Sequence, residues 1–326
     1  MSGLSQVASG LVSDGKGIFA ADASPKTLED RVEDSSILDT LEERLKYRRM
    51  TLATPELGKY IGGVILNEEA LSIVDVLNSQ EIIPGVKVDQ GTQGEVEKIT
   101  LGLEGLAERL RGYSNRGAKF TKWRAVITIS ATAPTSANID SNAKSLAKYA
   151  KLSQQAGLVP IVEPEVLMRG DHSIDRCADV TRLVGKKTFQ ALLEQEVDLA
   201  GMLYKPNMVL AGQNCPIQPT LTEVAHQTVG VMREIVPSQV PGIVFLSGGQ
   251  DAILATRRLN EIAKLGTGTP WRWSFSFERA LEGPAMQIWA GKDENVSSAQ
   301  HILLHRAKCN SLASLGKYTE GVEHEI

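Results

Sequence analysis

Two glutamates two residues apart, Glu163 and Glu165 in the run LVPIVEPEV, point to the same side of an extended strand and into the same space. Crowded carboxylates resist double ionisation, so one is expected to keep a proton near neutral pH and to serve as an acid; the alternative is a structural network with Lys or Arg on neighbouring strands, which would perturb the same groups. Lys205, in LAGMLYKPNM, ends an apolar run and is followed at once by Pro206, which holds the chain extended and keeps a helix from starting there. Alone it reads as one more surface lysine. Held among other cations and away from bulk water, it would lose part of its proton affinity, and its neutral amine could attack a ketone or aldehyde to give a Schiff base. The protonated imine is an electron sink that lets a neighbouring carbon–carbon bond break, while carboxylates alongside move the protons.

Those residues need elements to bring them together. Eight β-like runs recur along the chain, at residues 17 to 22, 60 to 67, 82 to 89, 119 to 129, 158 to 166, 199 to 206, 241 to 249 and 271 to 277. Amphipathic stretches fill the intervals: residues 28 to about 50, 137 to 157, 178 to 195 and 220 to 236, the third carrying Val180, Leu183, Val184, Phe189, Leu192 and Leu193 on one face. Strand and helix in repeated alternation predict a parallel sheet. With no break in composition, the expectation is an α/β chain forming one (β/α)8 TIM barrel over residues 1 to 326 with a short C-terminal tail; an open doubly wound sheet is the alternative that periodicity does not separate.

In such a barrel the C-terminal strand ends form the active face, and here they carry ionisable groups. The first run ends in Asp22, with Ser24 and Arg31 beyond it; the third carries Lys87 and Asp89, the fourth Lys122 and Arg124, the fifth the glutamate pair, the sixth Lys205. Ser247, Gly248 and Gly249 end the seventh run and Arg279 follows the eighth. Charges on otherwise apolar strands are costly unless paired or used, which makes their agreement a constellation. The cations exceed what the two glutamates need, and the Ser-Gly-Gly turn offers backbone N–H groups to an anion, so phosphate at two ends of one substrate would explain both clusters.

Composition narrows the classes. The chain has 326 residues, 42% hydrophobic and 23% charged, with 39 acids against 35 bases for a net charge of −4, which argues against nucleic acid or an anionic membrane as the main partner. Three scattered cysteines, Cys177, Cys215 and Cys309, suit a reducing compartment rather than a disulfide framework or a cysteine zinc site. The start MSGLSQVASGLVSDGKG resembles no targeting segment and no window reaches membrane-spanning length, so a soluble, cytoplasmic chain is expected. Two short motifs mislead. LSGGQ at 246 to 250 matches the ABC-transporter signature by string alone, and GLVSDGKG at 10 to 17 fails as a P-loop because Gly17 stands where a magnesium-binding hydroxyl is required. His301 and His305 have helical metal-ligand spacing, but Arg306 and Lys308 beside them favour an exposed helix face, and His172 is read as orienting a loop; no metal is expected.

Taken together, LVPIVEPEVL, YKPNMV, FLSGGQ, GKGIFAAD, VKVDQG, KWR and NSLASLGKYT make the chain similar, over nearly its whole length, to class I fructose-bisphosphate aldolase. The resemblance implies a (β/α)8 barrel, commonly a homotetramer, that needs no metal or cofactor and reversibly cleaves fructose 1,6-bisphosphate to dihydroxyacetone phosphate and glyceraldehyde 3-phosphate. It makes Lys205 the Schiff-base lysine, Glu163 the main acid/base with Glu165 beside it, Asp22 the group acting on the C4 hydroxyl, and Lys122 an electrostatic assistant. Ser247, Gly248, Gly249 and Arg279 would hold the 1-phosphate, and Ser24, Thr27, Arg31, Lys87 and Arg124 would lie towards the 6-phosphate. Three departures stand out: Thr27 where the family often has Ser, Glu278 where it has a small residue before Arg279, and GKYTEGVEHEI in place of a longer tail ending in Tyr. Glu278 would repel the 1-phosphate unless it points away. Schiff-base chemistry is expected to be retained, with enamine protonation carried by another group or slowed. Sedoheptulose 1,7-bisphosphate and fructose 1-phosphate are alternative substrates, and a non-catalytic relative is the competing class.

Overall fold

Each of the eight apolar runs contains a strand in the computed structural model, which describes residues 3–31 and 35–325. β1 (Gly17–Ala21), β2 (Ile61–Leu66), β3 (Ile83–Lys87), β4 (Phe120–Ile127), β5 (Val159–Val166), β6 (Leu203–Tyr204), β7 (Gly242–Phe245) and β8 (Arg272–Phe277) are parallel neighbours in chain order, and β8 closes on β1. An open doubly wound sheet is thereby excluded. The β6 ladder is short, yet the chain stays in register beyond it: Lys205 N–H donates to the Val162 carbonyl at 2.9 Å and Leu246 N–H to the Pro206 carbonyl at 3.1 Å.

Helix α1 (Gly3–Leu11) precedes the barrel, α2 (Pro25–Glu29) and α3 (Leu41–Leu52) follow β1, and α4 (Asp75–Asn78) follows β2. Then α5 (Leu106–Asn115), α6 (Ser136–Gln155), α7 (Ile174–Glu194), α8 (Leu221–Ile235) and α9 (Ala252–Leu265) follow β3 to β7 in turn. After β8 come α10 (Arg279–Trp289), α11 (Val296–Ser314) and α12 (Glu320–Glu323).

Two expectations about helices are corrected. The amphipathic run from residue 28 to 50 is not one helix: α2 stops at Glu29, a 3-10 turn occupies Ser35–Leu38, and α3 begins afresh behind Thr40. Part of that run lies outside the described residues. Thr40 accepts from Glu43 N–H at 3.2 Å while Glu43 accepts from Thr40 N–H at 3.0 Å, a reciprocal cap that fixes a start inside the amphipathic pattern. On α7, Leu183 and Leu193 are 44% and 59% exposed, because at 100° per residue they fall outside the arc shared by Val180, Val184, Phe189 and Leu192.

Strand alternation divides the core in two. Inward residues Ile18, Ala20, Ile65, Phe120, Val159, Ile161, Leu203 and Val244 fill the barrel floor together with Ala8, Leu11 and Val12 from the end of α1 and the turn after it. Outward residues such as Phe19, Val64, Trp123, Val162 and Tyr204 pack under the helices. The near-P-loop string lies on the end of α1 and a 3-10 turn leading into β1, the reverse of the strand–loop–helix order that phosphate binding there requires.

Candidate active site

Along the inner face of several strands, apolar residues give way to charges. β5 turns Val159 and Ile161 to the floor, so Glu163 and Glu165 follow on the same side. In the same way Phe120 is followed by Lys122 and Arg124 on β4, Ile18 and Ala20 by Asp22 after β1, and Leu203 by Lys205 after β6. Register sets their heights: Lys87 pairs with Lys122, and Arg124 with Glu163. The apolar floor below supplies the low-dielectric wall, and the strand ends supply the chemistry.

The result is a chain of ion pairs across four strands. Lys205 Nζ lies 3.2 Å from Glu163 Oε1, Glu163 Oε2 3.2 Å from Lys122 Nζ, and Lys122 Nζ 2.6 Å from Asp22 Oδ2. All four side chains are buried, Lys205 being 3% exposed, so the surface-lysine reading is excluded. Burial alone would raise the Asp22 carboxyl, but Lys122 and then Lys205 outweigh it and hold it below the usual carboxylate range. Glu163 is lowered on the same balance, burial against Lys122, Lys205 and Arg124. Lys122 keeps its proton firmly: burial opposes the charge, and Asp22 and Glu163 more than compensate.

This corrects the expectation of a proton kept by the crowded glutamate pair and favours its alternative, a network with cations from the neighbouring strands. Glu163 and Glu165 share a face, but each has its own cation: Glu163 has Lys122 and Lys205, and Glu165 is bonded directly to Arg124 Nε. The cations therefore favour Glu163 as an ionised carboxylate, which would have to take up a proton before it could act as an acid.

Two clefts open at the mouth. One, of about 290 Å³, is lined by Asp22, Ser24, Lys87, Asp89 and Arg109 among others. The other, of about 410 Å³, is lined by Arg124, Glu165, Gly248, Gly249 and Arg279, with Lys98 and Arg169. Arg124 thus stands with the Gly248–Arg279 group rather than with Lys87 and Ser24. Lys87 is paired with Asp89 at 2.7 Å. Ser24 caps α2, its hydroxyl accepting from Thr27 N–H at 3.2 Å and bonding the Thr27 hydroxyl at 2.8 Å. Gly248 and Gly249 have φ of 60° and 88°, a turn that side-chain-bearing residues rarely adopt, and the Arg279 guanidinium lies against Gly249. The buried Ser247 anchors the turn through its carbonyl, which accepts from Gln250 N–H at 3.0 Å. Arg31 is drawn towards α10, paired with Glu278 at 3.0 Å and Glu282 at 3.3 Å, and not towards the Lys87 cleft.

Sequence reasoning overlooked Asn207, Arg109, Arg169, Lys98 and Glu282. Asn207 positions Lys205: its Oδ1 accepts from Val166 N–H at 3.0 Å, replacing a ladder rung where β6 gives out, a role that the motif Lys-Pro-Asn hints at through the polar residue in a buried run. His172 does join two loops, but through its backbone carbonyl, which accepts from Gly212 N–H at 2.8 Å. His301 is exposed as expected, whereas His305 is buried against Cys309 at 3.5 Å and lies 3.9 Å from Glu323. Arg306 Nη1 sits 2.6 Å from both Glu323 oxygens, so a guanidinium already neutralises the carboxylate that an ion would need.

A family model described as glycolytic class-I fructose-bisphosphate aldolase matches residues 3–326. Fructose-bisphosphate aldolase of Plasmodium falciparum is 45% identical, with 99% of this chain and 91% of the relative covered. A probable class 1 fructose-bisphosphate aldolase of Xanthomonas campestris is 44% identical over 97% of this chain and 98% of its own. A solved structure of the Plasmodium falciparum aldolase, in complex with TRAP and a small-molecule inhibitor, superposes with a TM-score of 0.94 at 45% identity, covering 98% of this chain and 95% of that one. By sequence over its whole described length and by fold, the chain belongs to the class-I fructose-bisphosphate aldolase family.

Proposed function

We propose that Lys205 forms the Schiff base through which this aldolase reversibly cleaves fructose 1,6-bisphosphate. The observation that carries the reading is the buried line Lys205, Glu163, Lys122, Asp22, in which amine and carboxylate stand 3.2 Å apart. The Lys205 ammonium passes a proton to Glu163 and the freed amine attacks C2 of the open-chain ketose; Glu163 then gives that proton to the carbinolamine hydroxyl, which leaves as water, and the nitrogen becomes an iminium. The C3–C4 bond then breaks: its electron pair moves to C3 and the iminium nitrogen, the C4 hydroxyl proton passes to Asp22, and glyceraldehyde 3-phosphate departs. Protonation of the enamine at C3 and hydrolysis of the imine by water release dihydroxyacetone phosphate and return the amine. Lys122 stays charged and steadies both carboxylates, and Glu165 holds Arg124 at the cleft.

Ser247, Gly248, Gly249 and Arg279 take the 1-phosphate in this reading, joined by Arg31 and Arg124, while Lys87, Ser24 and Thr27 lie towards the 6-phosphate. Fixing both ends aligns the ketone with the amine, so binding energy far from the reacting bond lowers its barrier. On family grounds the enzyme is a cytoplasmic homotetramer of sugar-phosphate metabolism, without metal. Borohydride reduction in the presence of dihydroxyacetone phosphate should place a stable adduct on Lys205, read by peptide mass spectrometry, and cleavage should persist in chelator. An adduct elsewhere, or none, would overturn the assignment.

A further inference from the structure

Arg31 is held by two carboxylates from one helix start, and they differ in a way that matters. Glu282 is buried, its side chain 3% exposed, while Glu278 is 28% exposed beside an Arg31 that is 17% exposed. Glu278 directly precedes Arg279, whose guanidinium lies over Gly249 at the larger cleft. Around this arginine, then, one acidic partner is fixed in the wall and the other can swing to water.

We propose that Glu278 is a specificity-determining residue: its carboxylate occupies, on the Arg31 guanidinium, the place that the substrate's 1-phosphate takes, so that phosphate binds by exchanging one anion for another. This rests on the reading of Arg31 as a phosphate ligand given above. A phosphate dianion carries more charge and more acceptor oxygens than a carboxylate and wins the exchange when bound nearby, but at the cost of expelling Glu278. A ligand with a weaker anion at that end is turned away. The pair Arg31–Glu282 survives the exchange and keeps the guanidinium in place.

Glu282 gives the exchange a pH signature. It is faced by Glu278 on its own helix, by Tyr47 and Arg48 from α3, and by Arg31 after α2; burial first and Glu278 second push it up to about 7. Above that pH two negative charges hold Arg31, and below it one does. The penalty on phosphate binding therefore grows as pH rises through 7.

The test is steady-state kinetics with fructose 1,6-bisphosphate together with binding of dihydroxyacetone phosphate by calorimetry. Glu278→Gln should lower KM and tighten dihydroxyacetone phosphate roughly two- to fivefold, the size expected of one partly exposed ion pair, with the effect on KM rather than on kcat. Arg31→Ala should raise KM, and in the double variant the gain from Glu278→Gln should vanish. In Glu282→Gln, KM should match the unaltered enzyme at pH 6 and fall below it at pH 8; the phosphate's own ionisation is common to both and cancels in the ratio. A raised or unchanged KM in Glu278→Gln, a gain that survives removal of Arg31, or a pH-independent ratio overturns the proposal. Borohydride trapping at Lys205 in the same preparations separates this failure from failure of the Schiff-base reading.

Discussion

Lys122 stands between two carboxylates to which the proposed mechanism gives different roles, and its removal should show which property it supplies. It lies 2.6 Å from Asp22 and 3.2 Å from Glu163, and is the largest opposing charge on both. In Lys122→Met burial acts on those carboxylates with less to oppose it, so both take up protons at higher pH than before. If, as proposed, cleavage uses ionised Asp22, the acid limb of the kcat/KM profile should move upward, and kcat at neutral pH should fall by roughly 10²- to 10³-fold, as for loss of one preorganised charge. A variant whose rate drops with its acid limb unmoved would show that Lys122 acts some other way; thermal unfolding of the same sample checks that the fold survives. At this scale the sequence was informative about residue types and poor about partners. Lys205, Glu163, Asp22 and Lys122 were all legible as charges on apolar strands. That Glu163 and Glu165 would each be engaged by a cation from a neighbouring strand was legible only as the alternative reading, because spacing along one strand does not say which side chain the neighbouring strand presents.

The strands were legible because each is a short apolar run bounded by polar or turn residues; their number suggested closure, but only the pairing of β8 with β1 excludes the open sheet. The helix break between residues 29 and 41 was hidden, since amphipathy continues through it and the Thr40–Glu43 cap looks like ordinary surface. Equally hidden was the plug made by α1, whose packing depends on glycines in the strand above it. At Gly62 in β2 a Cβ would stand 2.5 Å from the Leu11 carbonyl oxygen, a backbone atom that cannot rotate aside. Gly62→Ala should therefore destabilise the barrel by about 1–3 kcal/mol through overpacking. At Gly112 in α5 nothing lies within 4 Å of an added Cβ, so Gly112→Ala should instead stabilise by about 0.5–1 kcal/mol through helix propensity. Denaturant midpoints measure both. Equal effects at the two positions would mean that the close approach of α1 does not constrain the strand.

For the molecule as a whole, pH pulls stability from both ends. Asp22, Glu163, Glu69 and Glu323 are held below their ordinary values, burial in each case being outweighed by cations or hydrogen bonds: Lys122 for the first two, Arg44 for Glu69 and Arg306 for Glu323. Their contribution is present above the unfolded-chain values and is lost as pH falls through the lowered folded ones. Glu282 works in the opposite sense. Folded, it is pushed up to about 7 from 4.5, chiefly by burial, so between those values the native state holds a proton that the unfolded chain has released. Stability must then decline as pH rises from about 4.5 to 7 and stay at the lower level beyond, a loss of up to ~3 kcal/mol from this one group. Gln at that position cannot ionise. Glu282→Gln should leave Tm nearly unchanged at pH 4 and raise it by several degrees at pH 8, despite the ion pair with Arg31 that it removes. The reverse result, a lower Tm at pH 8, would mean that Arg31 and Arg48 compensate the buried charge fully, and that the clasp on Arg31 is an element of stability rather than a strained arrangement kept for binding.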